Sequence, residues 1–534
     1  MATTQTSVEH AGPNGAPAAA PAFAPERPKH HGTLIRGADL IPRSDFTEGR
    51  FGRMFRTLHP ARHSEGDLLK LGTMMTADAD PPTPEDQIDD EENVGTKADP
   101  GISAGYTYLG QFIDHDLTFD PASSLQKQND PDALEDFRTP RFDLDNVYGR
   151  GPDDQPYLYR NNGLHLLQGE PLTGNADGSP VRDLPRNTPA AGEPARALIG
   201  DPRNDENVIV SQLQGMFTRF HNRMVDFLQE RNGSTTFEEA QRLVRWHYQW
   251  VVLHDFLPTI AGKPVMAAVL PSMKAGDSTL TNPPNLKFYK VKKSAFMPVE
   301  FSVAAYRFGH SMVRPIYRLS RSLPGRFEIF SADPNTSLTG FRAFPRNWAI
   351  DWPLFFRQGN PPATGPARVQ PAYKIDTSLV NPLGSLPPSV GGDHPSLPQR
   401  NLVRGLRMGL PSGQTVARHM GIEPIPDDKL KVGKATEATA ASNPILGSVS
   451  PNFRDNAPLW FYILAEAQQA FSKNTAPIRL GPVGGRIVTE VFVGLMWEDR
   501  HSYLRQKPEF KPFDEFLVNG EFNMAALLAQ AAKA

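Results

Sequence analysis

Proline sets the first limit on what this chain can fold into. There are 52 prolines in 534 residues, and each removes a backbone donor and clashes with the preceding helical turn, so long helices are confined to the stretches between them. Residues 1–33 (with AGPNGAPAAAPAFAPERP) are Ala/Pro/Gly-rich and predict a disordered N-terminal segment. Residues 76–100 are acidic and punctuated by proline, which predicts a surface loop, and 171–196 and 357–399 predict further Pro/Gly/Asn loops. Length alone allows roughly three or four domains at about 150 residues each. The expected organisation is nevertheless a single large helical domain over residues 34–534.

Between the loops, apolar residues recur at helical spacing. Leu213, Phe217, Phe220, Met224 and Phe227 lie three or four apart, which lines one helix face. Thr236 and Glu239 form a capping-box pattern ahead of a helix predicted over 237–257, with Pro258 expected to end it. Residues 301–313 read as a helix stopping before Pro315, and 459–471 and 487–496 are amphipathic. Period-2 alternation is scarce and no internal repeat is present. The expected fold class is mainly α, with long ordered loops and little β.

Hydrophobic residues make up 39% and charged residues 22%, enough to build a sizeable core. The 56 Lys and Arg nearly balance 59 Asp and Glu, for a net charge of −3, so there is no general attraction to nucleic acid or to an anionic membrane. No run of 18 apolar residues exists, and no membrane span is expected. The N-terminus lacks the basic patch and apolar core of a signal peptide. The absence of cysteine excludes disulfides, thiolate zinc, iron–sulfur clusters, a Cys nucleophile and thiolate-ligated haem. The compartment stays open between cytoplasm and secretion by a non-classical route. Any redox chemistry has to come from a bound cofactor.

Four segments concentrate polar chemistry. In GQFIDHDLTFDP (residues 110–121), Gln111 and His115 are four apart and share a helix face, whereas Asp114 and Asp116 flank the histidine and are expected to point elsewhere. His115 reads as a metal ligand, a general base or a helix-end histidine in an acidic patch. In RTPRFDLDNVYG (138–149), Thr139, Asp143 and Asp145 stand at alternate positions. An extended loop would turn their oxygens to one side, an arrangement that suits a hard cation such as Ca²⁺. Tyr148 occupies the place where an EF-hand needs glycine. In GDPRNDEN (200–207), Arg203 and Glu206 stand at a helix entrance, and acidic residues there also simply complement the helix N-terminus. In AAYRFGHSMVRP (304–315), Arg307 and His310 share a face, with Arg314 four beyond. His310 can serve as a haem ligand or as a satisfied core histidine, and His221, His247 and His254 compete on equal terms. A G-x-S-x-G match at 101–105 lacks the preceding strand of a nucleophile elbow.

In order and spacing these segments, with NLVRGLRMGLPSGQ (401–414) and LGPVGGRIVTEVFVGLM (480–496), resemble the animal-type haem peroxidases of the peroxidase–cyclooxygenase superfamily, and in particular a minimal bacterial branch. The resemblance spans residues 101–504. It implies that His115, Gln111 and Arg203 are the distal catalytic groups and that His310 ligates the haem iron. Asn401 is implied to accept from the proximal imidazole, and Arg307 to pair with a haem propionate. Asp114 and Glu206 match the carboxylates that can form ester links to haem b. Asp116, Thr139, Arg141 through its carbonyl, Asp143 and Asp145 match a Ca²⁺ site. The implied activity is reduction of H₂O₂ with oxidation of halides, thiocyanate or aromatic donors, as in a response to oxidative stress.

The chain departs from vertebrate members in having no disulfide and in carrying Asn207 where myeloperoxidase has the Met of its sulfonium link. One rival expectation is a fatty-acid dioxygenase of the cyclooxygenase type. Those relatives place a radical-forming Tyr three residues before the proximal His, where this chain has Arg307, with Tyr306 one step off. The other rival is a non-catalytic adhesion or scaffold protein, against which the intact set His115, Arg203 and His310 speaks.

Overall fold

Long helices form where proline is absent or confined to the first turn. Besides a ten-residue helix at Glu65–Met74, they are, in chain order, α1 (Gly105–Leu117), α2 (Val208–Asn232), α3 (Phe237–Val251), α4 (Leu397–Arg407), α5 (Leu459–Ser472), α6 (Pro482–Glu498) and α7 (Met524–Ala531). Pro398 and Pro482 fall in the first turns of α4 and α6, where a missing N–H costs nothing. This computed structural model describes residues 49–79, 89–119, 135–136, 138–176, 178–273, 278–292, 294–392 and 394–534. The segment predicted to be disordered (1–33), residues 34–48 and positions 80–88 of the acidic stretch lie outside the described residues.

Strands among the described residues are two to four residues long. The largest sheet places β1 (Gly49–Gly52) between β2 (Glu135–Asp136) and β3 (Met297–Pro298), antiparallel to β2 in register Gly49↔Asp136 and parallel to β3 in register Phe51↔Met297. The fold class is therefore mainly α, as expected. The core lies among α1, α2, α3, α5 and α6. Phe112 of α1 stacks on Phe217 of α2 at 4.3 Å between ring centroids, and Tyr248 of α3 meets both rings edge-on. No helix among the described residues is long and apolar enough to cross a membrane. The 357–399 loop is not featureless: it contains short helical turns at Asn381–Gly384 and Pro388–Gly391 and buries Ile375, Leu379 and Leu383 against the core.

Two predicted helices are interrupted. Residues 237–257 do not form one α-helix ended by Pro258. The chain leaves α3, makes a π turn at Val252–Phe256 and resumes as Leu257–Ala261. The wider turn shifts the hydrogen-bond register, so Pro258 falls in the first turn of the next helical piece. At its start, Thr236 does accept from Glu239 N at 3.2 Å, while Thr235 Oγ1 donates to the Glu239 carboxylate.

Residues 301–313 form a π turn (Glu300–Ala304) followed by a 3₁₀ turn (Ala305–His310), with the break at Ala304, φ −128° and ψ −71°. Buried Glu300 anchors this segment by accepting from Met54 N at 2.9 Å and Phe55 N at 3.2 Å. With three residues per turn, the 3₁₀ segment brings Arg307 and His310 directly into line.

Candidate active site

The α1 helix turns Gln111, Asp114 and His115 to one face, at relative positions i, i+3 and i+4, and all three line one cavity. Asp114 therefore does not point away, as the sequence suggested; Asp116 alone of the two carboxylates faces elsewhere. His115 is 5% exposed. Its Nδ1 lies 2.7 Å from Asn204 Oδ1, and its Nε2 lies 3.7 Å from Glu206 Oε1. Burial, reinforced by the Arg203 charge, lowers its pKa to about 3, so the ring is neutral through the physiological range. Gln111 donates to Glu206. Burial pushes the Glu206 carboxyl up to about 7 against the opposing pull of Arg203. Asp114 is also raised by burial, opposed by Arg203 and Arg307, and accepts from Thr118 Oγ1 at 3.1 Å.

Arg203 sits in a 3₁₀ turn (Pro202–Asp205) just before α2. Its Nε and Nη2 bond the Asp201 carboxylate at 2.7–3.2 Å, Nη2 also donates to the His115 carbonyl at 3.1 Å, and Phe119 lies under the guanidinium at 4.7 Å. No hydrogen bond to a described residue engages Nη1. Asp201 also takes Arg138 Nη2 at 2.6 Å. Burial would raise the Asp201 pKa, but Arg138 and Arg203 hold it well below the usual carboxylate range. Gly200 allows this packing: a Cβ there would stand 2.3 Å from the Asp145 carbonyl oxygen.

His310, at the end of its 3₁₀ turn, lines the same cavity together with Arg307, Arg400, Asn401 and Arg404. Burial, with Arg307 and Arg400 nearby, lowers the His310 pKa to about 3. The Asn401 contact runs opposite to the sequence expectation. Asn401 Nδ2, not its oxygen, faces His310 Nδ1 at 2.8 Å, because Oδ1 already accepts from Arg307 Nη1 at 3.1 Å. His310 Nε2 bonds no described residue.

Arg314 does not join this group; it pairs with Glu92 at 2.8 Å. The competing histidines are core residues. His221 lies between Tyr148 Oη at 3.1 Å and the Leu164 carbonyl at 2.8 Å. His247 bonds the Leu243 carbonyl at 2.7 Å within a cage of phenylalanines. His254 stacks on Trp250 at 3.7 Å.

Beyond α1, Asp116, Asp143 and Asp145 bring carboxylate oxygens within 4.8 Å of one another. Neither Asp116 oxygen has a hydrogen-bond partner among the described residues, and Asp145 Oδ1 is likewise buried without one. Burial and the two neighbouring carboxylates raise the Asp116 pKa well above its ordinary value. One buried and two part-buried carboxylates, with three bare oxygens on Asp116 and Asp145, have the chemistry of a hard-cation site. Thr139 Oγ1 donates to Asp143 Oδ2 at 2.7 Å, while the Arg141 guanidinium reaches away toward Asp499 at 3.9 Å. The loop is not extended, as its alternation implied. Leu144 is left-handed, with φ 59° and ψ 35°, and the resulting reversal gathers Asp143 and Asp145.

Sequence reasoning passed over Arg138, Asp201, Asn204, Gln214, Arg400 and Arg404. Asp201 carried a usable signal: Asp before Pro at a helical turn marks a cap, and its carboxylate accepts from Arg203 N at 2.8 Å. No local signal marks the others.

The sequence model of the family described as animal haem peroxidase matches residues 126–427. Thyroid peroxidase of Rattus norvegicus is 23% identical over 395 residues, covering 68% of this chain and 38% of that protein. The chain spans well under half the length of the curated relatives it matches. Among solved structures, peroxidase A from Dictyostelium discoideum aligns with TM-score 0.56 at 15% identity, over 91% of this chain and 95% of that one. The fatty acid alpha-dioxygenase of Oryza sativa aligns with TM-score 0.53 at 13% identity, over 94% and 84%. At such identities these two matches describe the fold.

Proposed function

Since the chain belongs to the animal haem peroxidase family, we propose that it is a peroxidase that reduces H₂O₂ at a haem b held by His310 and oxidises halides, thiocyanate or aromatic donors. On this reading residues 34–534 are one catalytic domain. The observation that carries it is a single cavity lined by two histidines from separate elements, His115 and His310, each with Nδ1 against a carboxamide and Nε2 without one.

The donor set suits a haem. A neutral imidazole nitrogen is available as the iron ligand, and Arg307, Arg400 and Arg404 can receive the two propionates. Met312, Val313, Ile329, Leu383 and Leu386 supply apolar wall for the ring. Bound haem would supply a redox-active iron with the capacity to take oxidising equivalents from peroxide. His115 Nε2 takes the proton from the near oxygen of H₂O₂ and returns it to the far one. Arg203 Nη1 stabilises the charge on the departing oxygen. Gln111 orients water or a halide beside them. With Arg307 drawn to a propionate, a flip of the Asn401 carboxamide would bring its Oδ1 to accept from His310 Nδ1 and would support ligation through Nε2. Asp116, Thr139, the Arg141 carbonyl, Asp143 and Asp145 hold Ca²⁺ behind α1 and fix the helix that carries His115.

The dioxygenase alternative has weaker support. Arg307 occupies the position of the radical tyrosine, and Tyr306 donates to the Gly110 carbonyl at 3.1 Å and stacks on Phe301 at 4.8 Å. An absorption spectrum tests the proposal: the purified chain shows a Soret band that shifts with H₂O₂, His310→Ala loses it, and His247→Ala keeps it. Equal haem content in His310→Ala and wild type overturns the ligand assignment. Oxygen uptake with linoleate in place of peroxide turnover overturns the activity.

A further inference from the structure

We propose that Asn204 and Gln214 are positioning residues that lock His115 in one tautomer, with the proton on Nδ1 and a bare Nε2 in the cavity. The inference rests on the reading of His115 as the proton-transfer group toward peroxide. Its structural core is a buried relay of two carboxamides running from His115 to the main chain of the short helix Asp145–Tyr148. His115 Nδ1 lies 2.7 Å from Asn204 Oδ1, Asn204 Nδ2 donates to Gln214 Oε1 at 2.8 Å, and Gln214 Nε2 reaches the Asn146 carbonyl at 3.5 Å. Asn204 and Gln214 are fully buried, so water cannot stand in for any partner.

The relay has a direction, and its far end sets it. A main-chain carbonyl only accepts. The Asn146 oxygen therefore requires the nitrogen of Gln214, which turns Gln214 Oε1 toward Asn204. Asn204 must then present its own nitrogen to Gln214 and its oxygen to the imidazole. An oxygen facing Nδ1 requires a proton there, and a neutral ring with that proton has its lone pair on Nε2. Reversing the relay would set Gln214 Oε1 against the Asn146 oxygen, acceptor on acceptor. The same Asn146 oxygen also accepts from Asp201 N at 3.0 Å, so one carbonyl orients the supports of both His115 and Arg203. A histidine that must take a proton from peroxide needs its lone pair on the cavity side before peroxide arrives, and a neutral carboxamide pair supplies that without placing a charge beside the ring.

The test reads the tautomer directly, by nitrogen NMR of the full chain labelled with ¹⁵N-histidine, with the His115 signals identified by their loss in His115→Gln. Wild type is expected to show Nδ1 protonated and Nε2 bare. Asn204→Ala and Gln214→Ala are expected to lose that single tautomer. In the haem-loaded chain the reaction with H₂O₂, followed by stopped-flow absorbance, should slow by about 10-fold or more in Asn204→Ala and Gln214→Ala, up to the roughly 10² to 10⁴ that a general base contributes. Gln214 does not line the cavity, so its variant separates loss of the relay from damage to the wall and serves if Asn204→Ala fails to fold. A proton on Nε2 in wild type, or an unchanged tautomer in both Ala variants, overturns the inference. The NMR readout does not depend on haem, so failure of the peroxidase reading is seen separately, in the absence of a Soret response.

Discussion

Arg138 and Arg203 meet on one carboxylate oxygen: Asp201 Oδ2 lies 2.6 Å from Arg138 Nη2 and 2.7 Å from Arg203 Nη2. Arg138 also reaches Asp145 Oδ2 at 3.2 Å, so the acidic cluster and Arg203 share one ionic chain. One anion between two buried cations cannot be removed quietly, since the cations lose their counter-charge in a medium that solvates them poorly.

Asp201→Asn is therefore expected to act twice. Breaking a buried ion pair from one side costs about 3–5 kcal/mol, which denaturant unfolding will read. The reaction with peroxide should also slow, because Arg203 loses the carboxylate that holds its guanidinium at the cavity wall. Wild-type stability in this variant would show that the chain of charges contributes nothing to the fold.

The acidic cluster predicts metal-dependent stability. Asp116 presents two buried oxygens with no partner, and a cation that binds only the folded state stabilises it by mass action, about 2.7 kcal/mol at a hundredfold excess over Kd. Calcium should raise the Tm of the chelator-treated protein, and Asp143→Ala should abolish the increase. Elemental analysis that finds no calcium in the carefully purified wild type would count against the site.

Much of this was legible in the residues, and what was not has identifiable physical causes. The helices around Leu213 and Phe461 follow from period and length, because nothing in them competes with helix formation. The segment ending at His310 carries an equally helical pattern, but Glu300 is tied to Met54 and Phe55 some 245 residues away, and that contact winds it into π and 3₁₀ turns. The spacing of Asp143 and Asp145 argues from an extended loop, whereas left-handed Leu144 is what brings them together. Asn204 stood inside a motif already singled out, yet its function depends on Gln214 and Asn146, which only the folded chain sets beside it.

Covalent attachment of a haem is the outcome expected from the carboxylates of the cavity wall. Asp114 and Glu206 both line it, and turnover with H₂O₂ supplies the oxidising power to link a carboxylate to a haem methyl. After brief peroxide treatment, acidified organic solvent should fail to extract the haem, and the double variant Asp114→Ala, Glu206→Ala should release it. Asn207 has no sulfur and spends its side chain capping α2, accepting from Ile209 N at 2.8 Å, so no sulfonium link forms. Iodide, thiocyanate and bromide should then be better donors than chloride. Free haem from treated wild type, or chloride oxidised as fast as iodide at neutral pH, would refute this assignment.

Acid should destabilise the fold through its buried histidines, and His247 isolates the effect because it lies outside both the cavity and the acidic cluster. Burial lowers its pKa to about 4 from the usual 6.5, against the raising influence of its hydrogen bond to the Leu243 carbonyl. The folded state therefore binds this proton less readily than the unfolded chain. The contribution to stability is intact above pH 6.5 and is lost as pH falls toward about 4. Integrating between these values, His247 should cost the native state about 2 kcal/mol at pH 4.5 relative to pH 7.5. Carboxyls raised by burial, such as Glu466 at about 7 and Asp376 at about 6, act in the opposite sense, so the absolute slope of stability with pH is a balance and only a difference between variants is diagnostic. His247→Gln should be less stable than wild type at pH 7.5, where its hydrogen bond and its aromatic cage are disturbed, yet fall less steeply on acidification. The gap between the two proteins should narrow by about 2 kcal/mol by pH 4.5. Parallel curves of unfolding free energy against pH for the two proteins would show that the ring takes up its proton equally well in both states.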